Sequence, residues 1–117
     1  MTQSNIPLKE VAAAGVGPSS SGVYILSLNG KIMKVGSAKI GIQKRMQQYY
    51  GLNSHCGLNC HITSFNRDHI LVTYQLCPVE ACEELESKLF DKYGPISNLP
   101  WAKKRPHSPQ NSHKLYI

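Results

Sequence analysis

The chain has 117 residues, of which 13 are lysine or arginine and 7 are aspartate or glutamate, so its net charge at pH 7 is +6. This length fits one domain with its own core, and 41% hydrophobic with 17% charged residues excludes a disordered chain. No apolar run has the length of a membrane span, and no basic segment precedes an apolar run at the N-terminus, so we expect a cytoplasmic protein outside the membrane. The positive charge favours nucleic acid as a partner.

The first third of the chain contains a polar segment and a strand pair. Residues 1–21 are small and polar, and we predict a flexible N-terminal arm with one helical turn near residues 8–14. Apolar residues on both sides of Asn29-Gly30 then predict a β-hairpin over residues 22–36, because this dipeptide is typical of tight hairpin turns.

The remaining chain predicts two helices around one strand. Apolar residues at helical spacing indicate a helix over residues 42–51, and residues 52–68 have no clear period. Residues 69–76 form an apolar run that predicts a buried strand, and residues 78–93 have the pattern and end signals of a second helix. Residues 101–117 form a basic tail rich in proline, histidine and serine.

The four cysteines allow a zinc site as one interpretation. Cys56 and Cys60 lie close in sequence to His55, His61 and His69. Three residues separate the two cysteines, whereas two are usual in zinc knuckles. The alternative is free thiols, since a cytoplasmic protein rarely keeps disulfides.

One carboxylate falls on the apolar side of the second helix. At 100° per residue, Glu86 lies between Cys82, Leu89 and Phe90. A buried carboxylate must be neutral, paired or bound to a metal, because an unpaired buried charge is costly. The alternative is a glutamate at the edge of the stripe that reaches water or an arginine.

The order of several short motifs resembles the GIY-YIG nuclease superfamily. In that family a metal-binding glutamate on a helix is followed by proline and asparagine at the spacing seen here, and the two name-giving motifs precede it. The matching positions are Gly22-Val23-Tyr24, Lys34-Val35-Gly36, Arg45, Tyr49, Glu86, Pro95 and Asn98. Lysine replaces the tyrosine of the second motif, as in some restriction endonucleases, and Tyr49 stands where many members have histidine.

The resemblance implies a fold and an activity. It implies a mixed α/β (α+β) domain over residues 22–100, with a three-stranded antiparallel sheet flanked by helices. The implied activity is a metal-dependent endonuclease that hydrolyses phosphodiester bonds of DNA, such as a compact type II restriction endonuclease. The choice of DNA over RNA also comes from the resemblance.

The resemblance also implies roles for single residues. Glu86 would hold one Mg²⁺ or Mn²⁺ ion, Arg45 would stabilise charge on the phosphate, and Tyr24 would accept a proton from water. Lys34 would lower the pKa of Tyr24, because a nearby cation favours the phenolate. Tyr49 would contact phosphate in place of the family's histidine. Asn98 would tie the active-site loop or contact phosphate, and Ser37 is a weaker candidate for positioning water or phosphate.

The role of Lys34 depends on the register of the hairpin. A two-residue turn at Asn29-Gly30 pairs Tyr24 with Val35 and puts Lys34 on the other face of the sheet. A three-residue loop over residues 28–30 pairs Tyr24 with Lys34 directly. The proposed role requires the second register, or a bulge that restores it.

Several basic residues are candidates for phosphate contacts with DNA, and a homodimer would cut both strands. These candidates are Lys39, Lys44, Lys103, Lys104 and Arg105. Three alternatives remain open: a repair or mobile-element nuclease targeted by a partner, a catalytically inactive nucleic-acid-binding module, and a zinc-stabilised binding module.

Overall fold

A computed structural model describes residues 2–52, 62–93 and 113–117 of the chain. The described elements follow the order β1 (Thr2–Pro7), α1 (Leu8–Ala12), β2 (Gly22–Leu28), β3 (Lys31–Ala38), α2 (Ile42–Tyr50), β4 (Leu71–Leu76) and α3 (Cys82–Tyr93). Short 3-10 turns precede β4 at Arg67–His69 and α3 at Val79–Ala81. None of the helices in these three ranges combines the length and apolar character needed to cross a membrane.

The mixed α+β class is confirmed, but the prediction of a three-stranded sheet is wrong. The strands of the described ranges form a four-stranded antiparallel sheet in the order β1-β4-β2-β3. The additional strand, β1, lies within the segment predicted to be a flexible arm, and it pairs with β4 from Thr2 opposite Gln75 to Pro7 opposite Leu71. Its side chains are mostly exposed, so backbone hydrogen bonds rather than an apolar pattern hold this strand in the sheet.

Two layers of helix cover the two faces of the sheet. On one face, α1 and α2 pack against residues of β2 and β4, with Leu8, Ile42 and Met46 fully buried beside Leu26 and Val72. On the other face, α3 packs against β2 and β3 through an apolar cluster whose buried members are Val23, Ile25, Val35, Ala81, Leu85, Leu89, Phe90 and Ile117. The central strand β2 therefore has a buried side chain on both faces at almost every position.

The end of the chain is attached to the α3 layer. Residues 113–117, predicted as part of a basic tail, lie beside β4 and α3. The buried side chain of Gln75 donates to the Lys114 carbonyl at 2.8 Å and accepts from the Tyr116 amide at 2.5 Å. Lys88 donates to the His113 carbonyl, and Ile117 is buried among the apolar residues of this face.

Candidate active site around strand β3

The two tyrosines of the predicted site form one hydrogen-bonded pair. Tyr24 lies in the centre of β2 and Tyr49 near the end of α2, and their hydroxyl oxygens are 2.6 Å apart. The rings meet edge to face, with their centroids 5.8 Å apart and their planes at 72°. Each side chain is only 2% exposed, so the pair is held rigidly between the sheet and α2.

The absence of a side chain at Gly36 makes room for the phenol of Tyr24. Gly36 is the residue of β3 directly opposite Tyr24. A Cβ atom built at Gly36 would lie 2.6 Å from the Tyr24 hydroxyl oxygen and 2.8 Å from the ring carbon that carries it. A side chain at position 36 would therefore force the Tyr24 phenol to shift from its place against strand β3.

The hairpin register brings Lys34 to the same face as Tyr24. The turn has two residues, with positive φ at Asn29 (52°) and Gly30 (80°), as a type I′ turn requires. This turn alone would send Lys34 to the opposite face, but β3 gains one residue relative to β2 between the pairs Ser27–Ile32 and Leu26–Lys34. The extra residue is a β-bulge, and it restores the face that the role of Lys34 requires.

The bulge does not pair Lys34 with Tyr24 directly. Gly36 takes the place opposite Tyr24, and Lys34 lies opposite Leu26, one pair further along the same face. Diagonal neighbours of this kind are about 7–8 Å apart in an antiparallel pair. Lys34 is half-buried and lies on the same face of the sheet as Tyr24.

Arg45 lies on the same helix as Tyr49, one turn earlier. It is half-buried, and its Nη1 atom donates to Gln48 Oε1 at 2.8 Å. Residues four apart share one side of a helix, so Arg45 and Tyr49 project in the same direction from α2. Lys44, the preceding residue, is exposed.

Glu86 approaches β3 from the other face of the sheet. It lies in the middle of α3 and is 6% exposed, as its position within the apolar stripe predicts. Its Oε1 atom accepts a hydrogen bond of 2.5 Å from Ser37 Oγ. Ser37 follows Gly36 in β3, and successive side chains of a strand point to opposite faces.

Strand β3 therefore separates two groups of predicted site residues. Tyr24, Lys34, Arg45 and Tyr49 belong to the face covered by α2, whereas Glu86 belongs to the face covered by α3. The two groups meet at the consecutive residues Gly36 and Ser37. Among the described residues β3 pairs only with β2, so this meeting point is on an edge strand of the sheet.

Lys39, one of the predicted phosphate contacts, forms an ion pair on the surface. Lys39 Nζ, just beyond β3, lies 3.2 Å from Glu83 Oε1 at the start of α3. The two side chains are 50% and 76% exposed, and an exposed pair of this kind contributes at most about 1 kcal/mol. Lys39 can therefore leave this partner at little cost.

Several predicted residues lie outside the described ranges. Asn98, Lys103, Lys104 and Arg105 fall between residues 94 and 112, and most of the zinc candidates (Cys56, Cys60, His55 and His61) fall between residues 53 and 61. Their predictions stay untested. His69 is described and lies exposed in the 3-10 turn before β4.

The oxygen ligands beside β3 suit a hard cation. Within residues 2–52, 62–93 and 113–117 no group of three or more histidine, cysteine, aspartate or glutamate side chains converges as a metal cage. Mg²⁺ does not need such a cage, because it keeps several waters and binds through one or two carboxylates together with substrate phosphates. Glu86 supplies a carboxylate and Ser37 a hydroxyl, so the donor set fits Mg²⁺ or Mn²⁺ and does not fit a thiophilic ion.

Sequence reasoning did not pair Ser37 with Glu86. Ser37 was only a weaker candidate for positioning water or phosphate, but its hydroxyl contacts the carboxylate of Glu86 across 49 residues of sequence. No local signal identified Glu86 as its partner, because the pairing depends on the hairpin register and on how α3 sits on the sheet.

Comparisons of the chain with protein-family models, with curated proteins and with solved structures found no match. The likeness to GIY-YIG nucleases therefore rests on the sequence motifs described above.

Proposed function

We propose that this protein is a metal-dependent DNA endonuclease that hydrolyses phosphodiester bonds. The observation that carries the proposal is the arrangement around Gly36-Ser37, where a hydrogen-bonded phenol pair lies on one face of β3 and a carboxylate that accepts from Ser37 lies on the other. A phosphate at this edge strand would lie between a proton acceptor and a ligand for a divalent cation.

Tyr24 is the proposed proton acceptor for the attacking water. A phenol of ordinary pKa near 10 is a weak base at neutral pH, so it needs cations that favour its phenolate. Lys34 on the same sheet face and Arg45 on α2 are the cations that would do this. The hydrogen bond from or to Tyr49 fixes the direction of the phenol, which reduces the cost of reaching the reactive geometry.

Glu86 is the proposed cation ligand, with Ser37 as its fixed neighbour. A bound divalent cation would supply charge stabilisation for the phosphate and for the leaving oxygen. Arg45 would add a planar guanidinium, whose paired N–H groups match phosphate oxygens. The positive net charge of the chain would supply affinity for the DNA backbone without reading its sequence.

One observation favours a second candidate function. Both phenols of the tyrosine pair are 98% covered, and their hydroxyls contact each other, which is also the geometry of a structural pair in a packed core. This favours a nucleic-acid-binding module that has the same fold without the activity. Within the nuclease proposal, a compact restriction endonuclease acting as a homodimer and a nuclease targeted by a partner are the two biological settings.

Nicking of supercoiled plasmid separates these functions. We expect the wild-type protein to relax the plasmid with Mg²⁺, to be inactive with EDTA, and to lose activity in Glu86→Gln. Glu84→Gln changes another largely buried carboxylate of α3, one that is paired with Lys88 and His113, and is the matched control that keeps the activity. Plasmid binding without cleavage under every metal condition would support the binding module instead, and discrete fragments would support a restriction enzyme.

A further inference from the structure

Two cysteines face each other where β4 passes into α3. Cys77 directly follows β4, and Cys82 is the first residue of α3. Their Sγ atoms are 3.7 Å apart, which is the distance of two sulfur atoms in contact without a bond. Both are free thiols in the structure.

The two thiols differ in their access to solvent. Cys82 is fully buried, and its Sγ atom contacts the Pro78 carbonyl at 3.6 Å and the Gly22 carbonyl at 4.0 Å. Cys77 is half-buried and lines a surface depression of about 410 Å³ together with Ser20, Ser21, Leu76 and Pro78. A small reagent can therefore reach Cys77 first, with Cys82 directly behind it.

We propose that Cys77 and Cys82 are a modification site that forms a reversible intramolecular disulfide by exchange with a low-molecular-weight disulfide such as glutathione disulfide. Cys77 Sγ loses its proton and attacks one sulfur of glutathione disulfide, so that bond breaks and one glutathione thiol leaves. Cys82 Sγ then loses its proton and attacks the Cys77 sulfur of the mixed disulfide, releasing the second glutathione thiol. Two protein thiols are oxidised, and one glutathione disulfide is reduced to two thiols.

The surroundings of the pair make the exchange slow at neutral pH. Burial, followed by the neighbouring thiol, raises the pKa of Cys77 to about 12, and burial also raises the pKa of Cys82. The attacking species is the thiolate, so the rate below pH 9 rises about tenfold with each pH unit. At neutral pH the reduced pair is therefore held in the thiol form.

The disulfide would join elements that position the candidate site. Cys82 precedes Glu86 by one turn of α3 and contacts the carbonyl of Gly22, two residues before Tyr24. Ser21 Oγ also donates to the Cys77 carbonyl at 2.6 Å, so the start of β2 is already attached to this corner. The chemistry of the pair itself does not depend on the nuclease proposal.

Trypsin gives a peptide that isolates the pair from the other cysteines. The segment from Asp68 to Lys88 contains Cys77 and Cys82 and no internal lysine or arginine. The full chain is incubated with glutathione disulfide, and its remaining thiols are alkylated with iodoacetamide. The protein is then digested with trypsin without reduction, and the mass of the peptide is measured by mass spectrometry. We expect a peptide that has lost two hydrogen atoms, carries no alkyl group, and returns to the thiol form with dithiothreitol.

A resolving-cysteine variant is the matched control. In Cys82→Ala the exchange stops after the first step, so we expect a stable glutathione adduct on Cys77 that wild type does not accumulate. If that variant does not fold, Cys77→Ala serves instead, and we expect its buried Cys82 to stay unmodified. A wild-type peptide that carries glutathione adducts without the internal bond, that remains fully alkylated, or that links to another peptide would overturn the proposal.

Discussion

The hydrogen bond from Ser37 to Glu86 can be tested by removing one hydroxyl group. In Ser37→Ala the carboxylate loses a donor 2.5 Å away within a site where it is 6% exposed. A hydrogen bond to a charged group contributes about 1.5–3 kcal/mol. If that bond fixes the carboxylate for catalysis, the loss lowers the cleavage rate by about 10- to 150-fold.

The assay is the initial rate of plasmid nicking as a function of Mg²⁺ concentration. A carboxylate that is no longer oriented should bind the cation less well, so we expect a higher Mg²⁺ midpoint as well as a lower maximal rate. Ser37→Thr keeps a hydroxyl donor and should restore much of the activity, and Ser27→Ala, at the hairpin end of β2, is the control for losing a serine from the sheet.

Unfolding in urea separates positioning from stability. Ser37→Ala should remain folded in the assay, because about 1.5–3 kcal/mol is smaller than the stability of a typical domain. A folded Ser37→Ala protein with the wild-type rate and the wild-type Mg²⁺ midpoint would refute the positioning role.

Three further predictions follow from single contacts. Gly36→Ala puts a Cβ atom 2.6 Å from the Tyr24 hydroxyl oxygen. We therefore expect the free energy of unfolding in urea to fall by about 1–3 kcal/mol and plasmid nicking to be lost. Full nicking activity would contradict the packing of Tyr24 against Gly36. Glu83→Gln releases Lys39 from its ion pair. Filter binding should then give tighter DNA binding with a steeper salt dependence. Unchanged binding would show that Lys39 does not contact DNA. Burial raises the pKa of Cys77 to about 12, so the stability that its thiol form contributes is complete below pH 9 and is lost as pH rises toward 12. Between pH 8 and pH 10, urea unfolding should therefore show a smaller loss of unfolding free energy in Cys77→Ala than in wild type. Equal losses in the two proteins would contradict this prediction.

The regular elements with strong sequence patterns were predictable. Asn29-Gly30 indicated the hairpin but left a two-residue turn and a three-residue loop open, and the structure has the two-residue turn. The helical spacing of Ile42, Met46 and Tyr49 indicated α2, whose buried residues are those three. Strand β1 could not be predicted, because its segment is polar and its pairing depends on the backbone edge that β4 offers.

The site itself was less predictable than the elements that carry it. One inserted residue near Met33 decides which face of the sheet Lys34 occupies, and nothing in the local sequence indicates that bulge. The contact between Ser37 and Glu86, and the one between Cys77 and Cys82, depend on how α3 sits on the sheet. Periodicity placed Glu86 in the apolar stripe, with burial as one of two interpretations, and could not identify its partner.

A double-mutant cycle on plasmid nicking tests most directly whether the groups on the two faces of β3 act as one active site. Tyr24→Phe, Glu86→Gln and the double variant are compared with wild type at saturating Mg²⁺, with the fold of each checked by circular dichroism. We predict that each single change abolishes most of the rate and that the double variant is barely slower than either, because residues that act as a unit are not additive. Wild-type nicking by Tyr24→Phe, or a double variant whose loss is the product of the two single losses, would contradict a shared site.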